Sequence, residues 1–118
     1  MIFTGVLLLA ILLFSLYQRV DIIYFTNPKC LLTKNTDRII EEVKEDFGDK
    51  VRVREIIVNM YEDDRPDTEE IKQLREKYQV YGVPEVIIDG KKFTLNFTKY
   101  NLETKICEKF VIKPEVCR

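Results

Sequence analysis

The sequence predicts an α/β fold with the element order β-α-β-α-β-β-α behind an N-terminal transmembrane helix. Three observations predict it. The first 17 residues, MIFTGVLLLAILLFSLY, carry no charged side chain. Beyond them, short β-branched and aromatic runs alternate with stretches of helical apolar spacing, the pattern of strands joined by crossover helices. An Asp89-Gly90 pair between two strand-like runs marks a two-residue hairpin.

Residues 1–17 are read as an uncleaved membrane anchor. A helix of that length spans ~25 Å, at the lower limit for a hydrocarbon core of ~30 Å. A cleaved secretory peptide competes with it, but no Lys or Arg precedes the apolar run and no small-x-small site follows it. A buried core helix is the third reading, and the segment lacks the polar face that reading needs. Arg19, Lys29 and Lys34 follow the segment, which by the positive-inside rule favours a cytoplasmic body. The cysteines argue for the opposite side, and an extracytoplasmic body is expected.

The body, residues 20–118, then reads as follows. VDIIYF (20–25) is a buried strand, broken by Asn27 and Pro28. Leu32, Ile39, Ile40, Val43 and Phe47 recur at helical spacing, and Gly48 stops that helix. VRVREIIVN (51–59) is a second strand and MYEDDRPDT (60–68) a charged loop. Asp67 with Glu70 forms a capping pair for a helix whose stripe is Ile71, Leu74 and Tyr78. VPEVIID (83–89) is a third strand, and KKFTLNF (91–97) a fourth with Phe93, Leu95 and Phe97 on one face. Leu102, Ile106 and Phe110 mark a last helix, ended by Pro114.

Composition narrows the chemistry. The 118 residues hold 19 basic and 20 acidic side chains and no basic stripe, so the footprint of a nucleic-acid binder is missing. With no histidine, Ser-His-Asp and Cys-His catalysis and His-ligated metals are excluded within this chain. The cysteines are Cys30, Cys107 and Cys117, with no CxxC pair, which makes a structural zinc site improbable. The acidic run Glu62, Asp63, Asp64 reads as a solvated turn rather than a metal site, and no cofactor is expected.

Two motifs carry a resemblance over roughly residues 20–112. IIYFTNPKCLLTK and YQVYGVPEVIIDGKKF together resemble the redox loop and the cis-proline hairpin of the thioredoxin-like superfamily, in its minimal fold. The resemblance implies that Cys30 occupies the nucleophilic cysteine position, Pro84 the cis-proline, and Val83 the residue before it, where a client chain binds. The family's resolving cysteine falls at Thr33, so the motif is CxxT and the dithiol cycle cannot run on it.

The reading that follows is a membrane-tethered thiol–disulfide exchange protein with one nucleophilic cysteine. Cys30 would sit in the first turn of a helix, beside Lys29, with the Thr33 hydroxyl donating to its sulfur; each effect favours the thiolate. An extended client pairs at Val83–Pro84 as an added strand. The mixed disulfide must be resolved from outside, by a second client thiol or an external thiol reductant. This suits isomerisation or reduction better than net oxidation. Cys107 and Cys117 are either a second redox pair relaying electrons to Cys30 or a disulfide staple pinning the tail. The staple is expected, and it would persist in an oxidising compartment. Glu85 reads as a solvent-facing strand residue near the cysteine. The alternative function is a non-catalytic peptide-binding module on the same fold. A cluster-holding monothiol glutaredoxin-like protein is disfavoured, since Leu31, Leu32 and Thr33 replace that group's Gly-Phe-Ser.

Overall fold

The computed structural model describes residues 4–10 and 18–118. Residues 4–10 are helical, with exposed Val6, Leu7, Leu8 and Leu9. The rest of the expected anchor over 1–17 lies outside the described residues. Among the described residues no helix is long and apolar enough to cross a membrane.

The body follows the expected order: β1 (Val20–Thr26), α1 (Thr33–Phe47), β2 (Val51–Ile57), α2 (Glu69–Tyr78), β3 (Glu85–Ile88), β4 (Lys91–Lys92) and α3 (Lys99–Cys107). The strands form one sheet in the order β2-β1-β3-β4. β1 and β2 are parallel, with Val20 beside Val51 and Thr26 beside Ile57. β3 runs antiparallel to β1, with Ile22 beside Ile88 and Phe25 beside Glu85. Asp89 and Gly90 both take positive φ, 46° and 83°, as a tight hairpin turn requires.

Alternation along β1 builds a three-layer molecule. Val20, Ile22 and Tyr24 face a core shared with Ile39, Ile40, Val43 and Phe47 of α1 and Leu102 and Ile106 of α3. Phe25 faces the other way, into a smaller core with Ile56, Val58, Val80 and Ile87. Ile71, Leu74 and Tyr78 of α2 cover that second core.

Four boundaries differ from the sequence reading, each for a local reason. Leu32 is exposed, because it precedes the helix at the N-cap position and so points away from the stripe begun by Ile39. Thr68, not Asp67, caps α2, accepting from the Ile71 N–H. Asp67 turns inward to accept from the Asn59 N–H and to pair with Arg75 at 2.6 Å. β4 ends at Lys92, so the chain has left the pleat when it reaches Leu95, which is exposed while Phe93 and Phe97 pack together. α3 stops at Cys107, well before Pro114; Lys113 donates to the Cys107 and Phe110 carbonyls at its C-terminal end.

Cys107 and Cys117 form a disulfide across a separation of 10 residues. By chain entropy a loop of that size contributes ~2–3 kcal/mol. It joins the tail to α3.

Where α1 meets α3, the Asp46 and Glu103 carboxyls share a hydrogen bond beside Lys99. Burial, then the Asp46 hydrogen bond, pushes Glu103 up from 4.5 to about 7. Asp46 is held below the usual carboxylate range, first by Glu103 and then by Lys99. The unfolded chain releases the Glu103 proton near 4.5 while the folded chain keeps it to about 7, so stability falls as pH rises through that window. Glu103→Gln is expected to remove the fall. Its Tm should exceed the parent's by a few degrees at pH 8, on the order of 1 kcal/mol after solvent screening, and match it near pH 4.5. Equal Tm values at pH 8 would rule out this account of the pair.

Candidate functional site

The loop between β1 and α1 is organised by Asn27, which is buried. Its amide nitrogen donates to the Val58 carbonyl and to Asp64, both at 2.9 Å. Its side-chain oxygen accepts from the Lys29 N–H at 2.9 Å, an Asx turn. Its backbone carbonyl accepts from the Cys30 N–H at 3.0 Å. One residue thus ties the loop to the end of β2 and shapes its turn. Below the loop, the Tyr24 and Thr26 hydroxyls both donate to Asp37 of α1, so strand and helix are joined by side chains as well as by packing. Burial, reinforced by Asp37, pushes the Tyr24 hydroxyl well above its ordinary value.

Cys30 is a free cysteine, only 9% exposed, in the turn that leads into α1. The Thr33 N–H donates to its carbonyl at 3.2 Å. Two of the expected supports for a thiolate are engaged elsewhere. The Thr33 hydroxyl is fully buried and turned to the Asn27 and Cys30 carbonyls, at 2.9 and 2.8 Å, because those acceptors lie inside the turn. The Lys29 ammonium lies 2.9 Å from Asp63 and 2.8 Å from Asp64, and over the Tyr61 ring. The α-helix itself begins three residues after Cys30, at Thr33.

The acidic run is therefore only partly a solvated turn. Asp63 is exposed, but Asp64 is 12% exposed and also accepts from the Met60 and Tyr61 N–H groups. Lys29, with those backbone donors, holds the Asp64 carboxyl well below the usual carboxylate range. Among the described residues no cluster of three or more Cys, Asp or Glu groups is arranged to hold a metal.

The Val83–Pro84 peptide bond is cis. Pairing between β1 and β3 stops at Phe25 and Glu85, so Pro84 and Val83 lie one and two steps beyond. They fall at the end of the sheet from which the Cys30 loop leaves. The register thus brings Cys30, Thr33, Val83 and Pro84 to one end of the molecule. Cys107 and Cys117 belong to α3 and the tail, apart from that loop. Val83 is partly buried against the second core. Tyr81, Leu31 and Leu32 on this end are among the most exposed apolar side chains described, at 83%, 77% and 73%. Glu85 is half-buried and pairs with Lys92 at 3.4 Å instead of facing open solvent.

Similar solved structures decide the fold. A thioredoxin from Wuchereria bancrofti matches with a TM-score of 0.53 at 23% identity, over 69% of each chain. A mutant thioredoxin from Halobacterium salinarum NRC-1 matches at 0.56 and 20%, over 82% of this chain and 80% of the other. This chain has the thioredoxin-like fold. Tryparedoxin II from C. fasciculata, at 0.56 and 12% over 88% and 83%, shares that fold too. No family profile matches the sequence, and no curated protein is significantly similar to it. Within the thioredoxin-like fold, sequence reasoning found the cis-proline and missed Asn27, read only as a strand breaker. The signal was there: an Asn directly after a strand, two residues before the N–H that its side chain accepts.

Proposed function

We propose that this chain is a membrane-tethered thiol–disulfide exchange protein with Cys30 as its single nucleophile, its body on the extracytoplasmic side. The observation that carries the reading is a free cysteine in the strand–helix loop at the same sheet end as a cis Val83–Pro84 bond. The Cys30 thiolate attacks one sulfur of a client disulfide, forming a mixed disulfide and releasing the other sulfur as a thiolate. A second client thiol, or an external thiol, then attacks the mixed disulfide and restores Cys30. With a client thiol the result is isomerisation without net electron transfer. With an external dithiol, the client is reduced and the dithiol oxidised. Thr33 serves as a positioning residue, holding the turn through the Asn27 and Cys30 carbonyls. The Cys107–Cys117 disulfide supports an oxidising compartment, and the charge-free segment 1–17 supports the tether.

The low exposure of Cys30 and the engagement of Thr33 and Lys29 favour a second reading, a client-binding module without turnover. Recovery of scrambled ribonuclease, with the full chain in detergent beside its Cys30→Ser variant, separates the two. The exchange reading expects recovery with the parent chain, a trapped mixed disulfide on Cys30, and background recovery with Cys30→Ser. Identical recovery for both, with client binding retained, would establish the module instead.

A further inference from the structure

The end of the body opposite the Cys30 loop has a different surface. The Gln18 side chain accepts from the Val111 N–H at 2.9 Å, which fixes the tail beside the residue that directly follows the charge-free segment 1–17. Val111 and Ile112 next to it are exposed, Val111 at 76%. Lys109 and Lys113 flank this apolar pair in the sequence, with the Lys113 ammonium turned to the Cys107 and Phe110 carbonyls. Close by, Lys91, Lys105 and Lys109 line a shallow cavity of about 180 Å³ floored by Ile88 and Phe93. Glu108 on its rim pairs with Lys105, whereas Lys91 and Lys109 line the opening with no acidic partner among the described residues. The other end of the molecule, ~20 Å away along the seven residues of β1, carries Glu62, Asp63 and Asp64.

We propose that Val111–Ile112 and the surrounding lysines form a membrane-facing surface that rests on anionic lipid headgroups and turns the Cys30 loop toward the aqueous phase. Two arguments select a bilayer as the occupant. The apolar segment ends at Tyr17, one residue before the Gln18 that holds this surface, so a tethered body presents this end to the lipid. An exposed apolar pair with lysines on the same end is also the combination that partitions into an anionic interface, each lysine near the surface adding about fivefold to the affinity. The proposal rests on the tether in the functional reading but not on any thiol chemistry.

The chain has no tryptophan, so a single introduced indole reports its own surroundings. Full-length Ile112→Trp is placed in nanodiscs of phosphatidylcholine, alone or with phosphatidylserine, with brominated acyl chains as quencher. The expected result is a blue-shifted, quenched emission in the anionic discs. Adding Lys91→Gln and Lys109→Gln should lower the headgroup affinity by about 25-fold and relieve most of the quenching. Tyr81→Trp, at the opposite end, should stay unquenched in both. A chain that co-elutes with the discs while the Ile112→Trp indole stays unquenched, or is quenched no more than Tyr81→Trp, overturns the surface and leaves the tether standing. A chain that fails to co-elute overturns both, and neither outcome touches the exchange activity measured in detergent.

Discussion

Asn27→Ala is expected to destabilise the protein by about 3 kcal/mol, roughly 10–15 °C in Tm for a domain of this size. Asn27 is 1% exposed and makes three side-chain hydrogen bonds: to the Val58 carbonyl, to Asp64 and from the Lys29 N–H. Truncation leaves these partners without their shared anchor. A buried group that loses its partner costs ~1–3 kcal/mol, more than the net worth of the bond it made. Lys29 and the Met60 and Tyr61 N–H groups still satisfy part of Asp64. The loss therefore falls mainly on the Val58 carbonyl and the Asx turn. Urea melts give the stability change, and amide exchange at Lys29 and Cys30 reports the loop. Exchange there should rise while β3 amides stay protected relative to global unfolding. A Tm within ~2 °C of the parent's would show that Asn27 is not the anchor of the loop.

The fold was legible where a pattern repeats. The alternation of Val20, Ile22 and Tyr24 against Phe25, and the helical spacing of Ile39, Ile40, Val43 and Phe47, each commit several residues to one face, and the core follows them. Element ends were less legible, because caps are chosen by single contacts. Asp67 and Thr68 are both good N-caps by residue type. The choice between them was made by Arg75 and the Asn59 N–H, which are distant in sequence from a capping box. The site shows the same division. Cys30 and Pro84 are visible because each residue type carries its own chemistry. The directions of the Thr33 hydroxyl and the Lys29 ammonium depend on which acceptors the folded loop offers. Carbonyls inside the turn took the first and Asp63–Asp64 the second.

Thr33→Cys is expected to raise disulfide-reductase turnover on the order of a hundredfold at ~1 mM external thiol. The Thr33 N–H bond to the Cys30 carbonyl closes a turn, which keeps the two Cα atoms within about 7 Å. Disulfides accept Cα separations of about 4.4–6.8 Å, so an introduced thiol at this position can reach the Cys30 sulfur with small adjustment. Resolution of the mixed disulfide then becomes intramolecular, and the effective concentration of the attacking thiol far exceeds ~1 mM. The buried hydroxyl that is lost made bonds only to carbonyls already accepting from the Cys30 and Thr33 N–H groups. The stability cost should therefore stay near 1 kcal/mol. Insulin reduction coupled to an external dithiol measures the gain, and Cys30→Ser in the same background should abolish it. If the folded variant forms its new disulfide and still turns over no faster than the parent, slow resolution is not what limits Cys30. The loop then presents its sulfur too deeply for a client to reach, and the binding module becomes the function.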